Sequence, residues 1–174
     1  QDGSPLRSAG YAFQFTVSTG PLAAAPPTGA FPFTQIDTLV VRSTPNVLTR
    51  AYGALGSDFD RDGWLDLAVV NEISGDLRVF MNRSDGTGLY DPFLQPPTPI
   101  GDVASPNEPG DFNNDGFPDA VTGNVVDDTV SILLGNGNGT FAPQQVRAVG
   151  GAPHGVAVLD ADGGEHILNF HLPG

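Results

Sequence analysis

The chain has 174 residues, and its 7 basic against 20 acidic residues give a formal net charge of −13. Such a surface repels nucleic acid and anionic lipid, whose capture needs clustered cations, and no apolar run of about 18 residues is present to cross a membrane. A hydrophobic content of 39% supports a core, 23 glycines and 16 prolines favour turns over long helices, and the lack of cysteine excludes disulfides and thiolate chemistry.

The chain opens on Gln1, which implies processing or excision from something longer, and no signal peptide is visible. Residues 11–18, "YAFQFTVS", alternate strictly, with Tyr11, Phe13, Phe15 and Val17 on one face and Ala12, Gln14, Thr16 and Ser18 on the other. That pattern predicts a half-buried strand. One strand cannot form a domain, so it must pair with another part of this chain, another chain or a further domain. The expected organisation is therefore an isolated N-terminal strand at 1–20, a Pro/Gly/Ala-rich linker at 21–45 and a repeat region at 46–174.

The repeat is set by two acidic runs, "DFDRDGWLD" at 58–66 and "DFNNDGFPD" at 111–119, which lie 53 residues apart from Asp58 to Asp111. In that register 58–87 align with 111–140 without a gap. Asp58/Asp111, Phe59/Phe112, Asp62/Asp115, Gly63/Gly116, Asp66/Asp119, Asn71/Asn124, Gly86/Gly139 and Thr87/Thr140 are identical pairs. The match runs well past the acids, so a structural unit is duplicated. Each unit reads as short strands and turns: "DLAVVN" then "DLRVFMN" in the first, "DAVTGN" then "TVSILLGN" in the second. "GTFAPQQVRAVG" at 139–150 closes the second unit at a sheet edge. The apolar run of "HGVAVLD" at 154–160 predicts a strand buried on both sides. No segment has helical periodicity.

Within the first run Asp58, Asp60, Asp62 and Asp66 occupy positions one, three, five and nine. Four like charges so close repel one another unless a cation lies between them. Calcium takes 6–8 oxygens in irregular geometry, which suits alternate side chains from a tight loop. Gly63 permits the sharp turn, Trp64 offers its backbone carbonyl, and Asp66 closes the site. The second loop repeats the plan with Asp111, Asn113, Asp115, the carbonyl of Phe117, and Asp119. Asn113 makes it one charge poorer, so its affinity should be lower. Magnesium demands stricter octahedral geometry, and zinc prefers nitrogen or sulfur ligands. The loop is too short for an EF-hand, whose closing glutamate falls at position twelve between two helices. A third copy, "LDADGGEHIL", is degraded, and leaves Asp160 and Asp162 as weaker metal candidates.

These features resemble the FG-GAP/VCBS repeat family, which includes the calcium-loop repeats of integrin-α-like β-propellers. "DFDRDGWLDLAVVN", "DFNNDGFPDAVTGN", "SILLGNGNGTFAP" and "GGAPHGVAVLDAD" carry the resemblance over about 46–162. It implies an all-β propeller of four-stranded blades with Ca2+ in the loop joining the first two strands of a blade. It also implies a secreted or cell-surface setting and a role in adhesion or ligand binding. Two departures stand out. Pro106 and Pro109 occupy the position of an apolar strand, and about two and a half repeats fall short of the roughly 4–8 blades a ring needs. The fold expected is thus a partial or oligomer-completed β-propeller. The strand at 11–18 is similar to the last strand of a bacterial Ig-like domain.

Other candidate sites are weaker. His154, His166 and His171 are scattered, and no nucleotide-binding or nucleophile motif is present, so no enzyme is expected. "NRS" at 82–84 and "NGT" at 138–140 match the glycosylation sequon but fall at turns. Asp127 and Asp128 read as a solvated turn, and Trp64 and Phe117 as rings packed beneath their loops. Two functions follow as expectations. One is a calcium-stabilised extracellular module that binds a protein or glycan. The other is a self-assembling subunit whose partners are other copies of itself, joined by strand addition.

Overall fold

A computed structural model describes residues 38–44, 47–160 and 165–171. Ten strands run through it: β1 (Ala51–Ser57), β2 (Asp66–Asn71), β3 (Asp76–Phe80), β4 (Thr98–Pro99), β5 (Ala104–Gly110), β6 (Asp119–Asn124), β7 (Thr129–Leu133), β8 (Gln145–Ala148), β9 (Pro153–Asp160) and β10 (Glu165–His171). They form two antiparallel four-stranded sheets, β1-β2-β3-β4 and β5-β6-β7-β8, and a β9–β10 hairpin. None of the sheets closes on itself, and no helix occurs among the described residues. The strand expected at 11–18 lies outside the described residues. Of the linker only 38–44 is described, and it holds no strand.

The two large sheets repeat the 53-residue period in detail. β2 and β6 start on Asp66 and Asp119, end on Asn71 and Asn124, and each pairs with strands on both sides. The strands expected from "DLAVVN", "DAVTGN" and "HGVAVLD" are therefore present. "DLRVFMN" and "TVSILLGN" each yield five strand residues and then an isolated bridge, Asn82 to Tyr90 and Gly135 to Phe141. "GTFAPQQVRAVG" supplies β8 at the edge.

β1 and β5 are the strands that propensity hides. "AYGALGS" holds two glycines, and "ASPNEPG" holds two prolines and no β-branched residue. Both form because β2 and β6 offer a full row of backbone partners. Pro109 faces Ala120 within the ladder, and the register shifts between Ser105 and Asn107, so Pro106 falls at an irregularity. There a missing amide interrupts no regular ladder bond. Each first strand is entered through a residue at positive φ: Arg50 (57°), Val103 (49°) and Ala152 (47°). That conformation is strained for a β-branched residue such as Val103, and its recurrence marks the same chain reversal in all three units.

Sheets pack face to face, with β1 against β5, and β5 and β6 against β9. One core lies between the first two sheets and contains Leu55, Phe59, Val70, Leu77, Val79, Ala120 and Leu133. Phe59 meets Phe141 edge-on across it, with ring centroids 5.4 Å apart. A smaller core of Val121, Val130 and Val156 joins the second sheet to β9–β10. Successive residues of a strand face opposite sides, so Ala120 enters one core and Val121 the other, and all six residues of β6 are buried. The strand expected to be covered on both sides was β9. Among its described side chains only Pro153 and Val156 are buried, because the other described residues pack against one face of the hairpin.

Candidate metal centre

Both acidic runs form the connection between the first and second strands of their sheets, and they adopt one conformation twice. Asp58 Oδ1 accepts from the amide of Asp62 at 3.0 Å and Oδ2 from Gly63 at 3.0 Å. Asp111 accepts from Asp115 at 3.1 Å and Gly116 at 2.9 Å. Asp60 and Asn113 each accept from the amide two residues on, at 3.2 and 3.1 Å. The amides of Trp64 and Phe117 donate to Asp62 and Asp115, both at 2.8 Å. Aspartate is suited to this because its short side chain reaches the backbone of its own turn. Gly63 and Gly116, at φ 93° and 86°, take a conformation that side chains disfavour.

The closing aspartates are built differently. Asp66 is 1% exposed and Asp119 fully buried. Asp66 accepts from the amides of Phe59 (3.0 Å) and Asn82 (2.8 Å). Asp119 accepts from Phe112 (2.7 Å) and Gly135 (2.7 Å). Each carboxylate thus ties the loop start to the end of the third strand. Burial pushes both groups up to about 6, against the pull of those amides, and the neighbouring acids add to the rise. Burial also raises Asp60, while Asp62 is lowered, first by the Ser84 hydroxyl it accepts from.

In the first loop one carboxylate oxygen from each of Asp58, Asp60 and Asp66 lies within 4.8 Å of the other two. Asp62, expected as the fourth acid of that set, stands outside this group, turned toward Ser84. The donor set is all carboxylate oxygen, which fits a hard divalent cation such as calcium and disfavours softer metals. In the second loop Asn113 donates its amide to Asp115 at 2.7 Å. A cation there would displace that donor.

The aromatic residues behave unequally. Phe117 is half-buried, as expected, but Trp64 is 41% exposed and does not pack beneath its loop. Its ring tip lies about over Gly86, where a Cβ would be 4.0 Å away. Asp127 and Asp128 also differ from expectation. They are exposed, yet they accept from the amides of Asp102 and Ala152, both at 2.7 Å, and so pin the approaches to β5 and β9. A local reading misses them because their partners are 25 and 24 residues away. Asp162 and the side chain of Asp160 lie outside the described residues. In the third unit the second strand opens instead on Glu165, whose Oε2 accepts from the amide of Asp111 at 2.6 Å. His154 and His166 are exposed, and among the described residues neither belongs to the acidic group that could hold a metal.

The arrangement defines an all-β repeat protein with an acidic turn between the first two strands of each large sheet. The FG-GAP-like repeat family matches residues 58–122 and again 111–163, more than half of the chain, which therefore belongs to that family. Repeats of this family are typically non-enzymatic extracellular adhesion or binding modules. No curated protein and no solved structure matches the chain significantly. No helix among the described residues is long and apolar enough to cross a membrane.

Proposed function

We propose that this chain is a calcium-stabilised segment of an extracellular β-propeller, secreted or at a cell surface, that presents its loops to a protein or glycan. The observation that carries the calcium reading is the convergence of Asp58, Asp60 and Asp66 within 4.8 Å. The second loop repeats the turn's hydrogen bonds in register, which supports a second site formed by Asp111, Asn113, Asp115 and Asp119. Asp62 and the carbonyls of Trp64 and Phe117 complete the proposed ligand sets. The bound ion supplies charge neutralisation, and the residues do the rest. Asp58 and Asp111 hold the turn, and Asp66 and Asp119 tie it to the sheet. Calcium is structural in this reading.

Face-to-face packing of sheets through their first strands supports blades arranged about an axis, with the β9–β10 hairpin as the start of a third blade. Calorimetric titration of the chelated full chain tests the proposal. Two calcium sites are expected, and Asp58→Ala should abolish the first. No heat of binding, with unchanged stability in chelator, would sink it.

A second reading has one observation in its favour. Among the described residues β10, like the edge strands β1, β4, β5, β8 and β9, has a hydrogen-bonded partner on one side only. An open edge of seven residues can accept a strand, and 11–18 alternates as such a strand must. Here the chain is a subunit that self-assembles with copies of itself. Large polymers that require residues 1–20, seen by light scattering, would favour it over the monomeric module.

A further inference from the structure

The two acidic loops touch. Arg61 sits between Asp60 and Asp62 in the first loop and lays its guanidinium over the ring of Phe117 in the second, 5.2 Å from the centroid. The same group lies against Gly116, where a Cβ would be 3.3 Å from Nη1 and 3.5 Å from Nη2. Arg61 adopts φ 63°, so its backbone is held in the left-handed region by the turn that Asp58 and Asp60 cap. At the equivalent position the second loop carries Asn114, at φ 57°, which is too short and uncharged to make such a contact. The bridge therefore runs one way, from the first loop onto the segment of the second that lies between Asp115 and Asp119.

We propose that Arg61 couples the loops, so that a cation held in the first raises the affinity of the second; this rests on the reading of both loops as calcium sites. A cation drawing Asp58 and Asp60 together fixes the backbone on either side of Arg61, and with it the direction of the guanidinium. That guanidinium then holds the Phe117 ring and the Gly116 turn, whose ordering a second cation no longer has to supply. Ordering once and binding twice is positive cooperativity without a change of fold. Like-charge repulsion acts in the opposite sense, but these loops are exposed and salt screens it. An exposed cation–π contact has the strength to change affinity roughly two- to five-fold. By linkage the second loop strengthens the first by the same factor.

The test uses the full chain and calcium, with the second site followed by calorimetry. Trp64 is the only tryptophan and sits in the first loop, so the terbium luminescence it sensitises, less that of the Asp58→Ala, Asp60→Ala variant, reports the first loop. Disabling the first loop by Asp58→Ala with Asp60→Ala should weaken the second site roughly two- to five-fold. In an Arg61→Ala background the same change should leave the second site unaltered. Phe117→Leu keeps both the Arg61 charge and the backbone carbonyl, and should likewise remove the dependence, which a pure charge effect would not do. Equal second-site constants with and without the first loop would overturn the coupling, as would a dependence that survives both Arg61→Ala and Phe117→Leu. Absence of calcium uptake by any of the proteins would remove the calcium reading itself and the coupling with it. That outcome is distinct from two sites that fill independently.

Discussion

Aspartates only a few positions apart in one loop do different work. Asp66 is buried and accepts two backbone amides, so Asp66→Ala should destabilise the calcium-free protein by about 2–3 kcal/mol through orphaned donors. Urea denaturation in chelator measures this. Asp62 is exposed and turned toward Ser84, so Asp62→Ala should leave calcium-free stability nearly unchanged and reduce only the increment that calcium adds. The pH response follows from Asp66 and Asp119, whose folded-state values of about 6 lie above the ordinary 3.8. A raised carboxylate favours the fold while it is protonated, and that contribution is lost as pH rises from about 4 through 6. The calcium-free protein should therefore have a higher urea midpoint at pH 5 than at pH 8. Millimolar calcium should shrink or abolish that difference, because the cation needs both groups ionised and adds most at the higher pH. The buried amides of Asn71 and Asn124 repeat too, donating to Asp76 and Thr129, each at 2.9 Å. Asn124 also reaches Ser131 at 2.8 Å, and Asn124→Ala should cost about 1–3 kcal/mol.

The strands divide by how they reveal themselves. β2 and β9 are legible because each holds a run of apolar residues bounded by turn formers, and β6 because it lies in register with β2 53 residues on. β1 and β5 are not, since a strand built on Gly or Pro owes its shape to the neighbour that pairs with it. β6 shows how closely the sheets approach. A Cβ on Gly123 would lie 2.9 Å from the carbonyl oxygen of Pro153 and 3.3 Å from that of Ser105. Backbone atoms cannot swing aside as side-chain ends do, so Gly123→Ala should push β6 away from β9 and cost about 1–3 kcal/mol. Thermal unfolding with and without calcium should show the same loss in both, since the contact is remote from the acidic loops. Arg78 forms another tie that only packing reveals. It is 3% exposed, pairs with Asp76 at 2.7 Å, donates to the carbonyl of Val41 and lies 4.7 Å from the Phe93 centroid.

At the scale of the whole molecule, two cores hold three sheets in series, and each large sheet carries one proposed calcium corner. At an extracellular-type Kd of about 10⁻⁴ M and roughly 1 mM calcium, each site adds about 1.4 kcal/mol. Two sites should then raise the melting temperature by roughly 5–10 °C for a chain of this size. Calorimetric scans in chelator and in calcium check this, and equal melting temperatures would contradict a structural ion.

Much was determined by the order of residues alone: the duplicated unit, its 53-residue period, its central strands, the two acidic turns and membership of the FG-GAP-like repeat family. These are local properties, set by alternation, turn chemistry and the short reach of aspartate. Tertiary structure decided what depends on neighbours distant in the chain. It made strands of "AYGALGS" and "ASPNEPG", buried β6 rather than β9 on both faces, and exposed Trp64. It turned Asp62 toward Ser84 and laid Arg61 across Phe117. Each of these outcomes depends on surfaces brought together by sheet packing, which spacing along one strand does not encode.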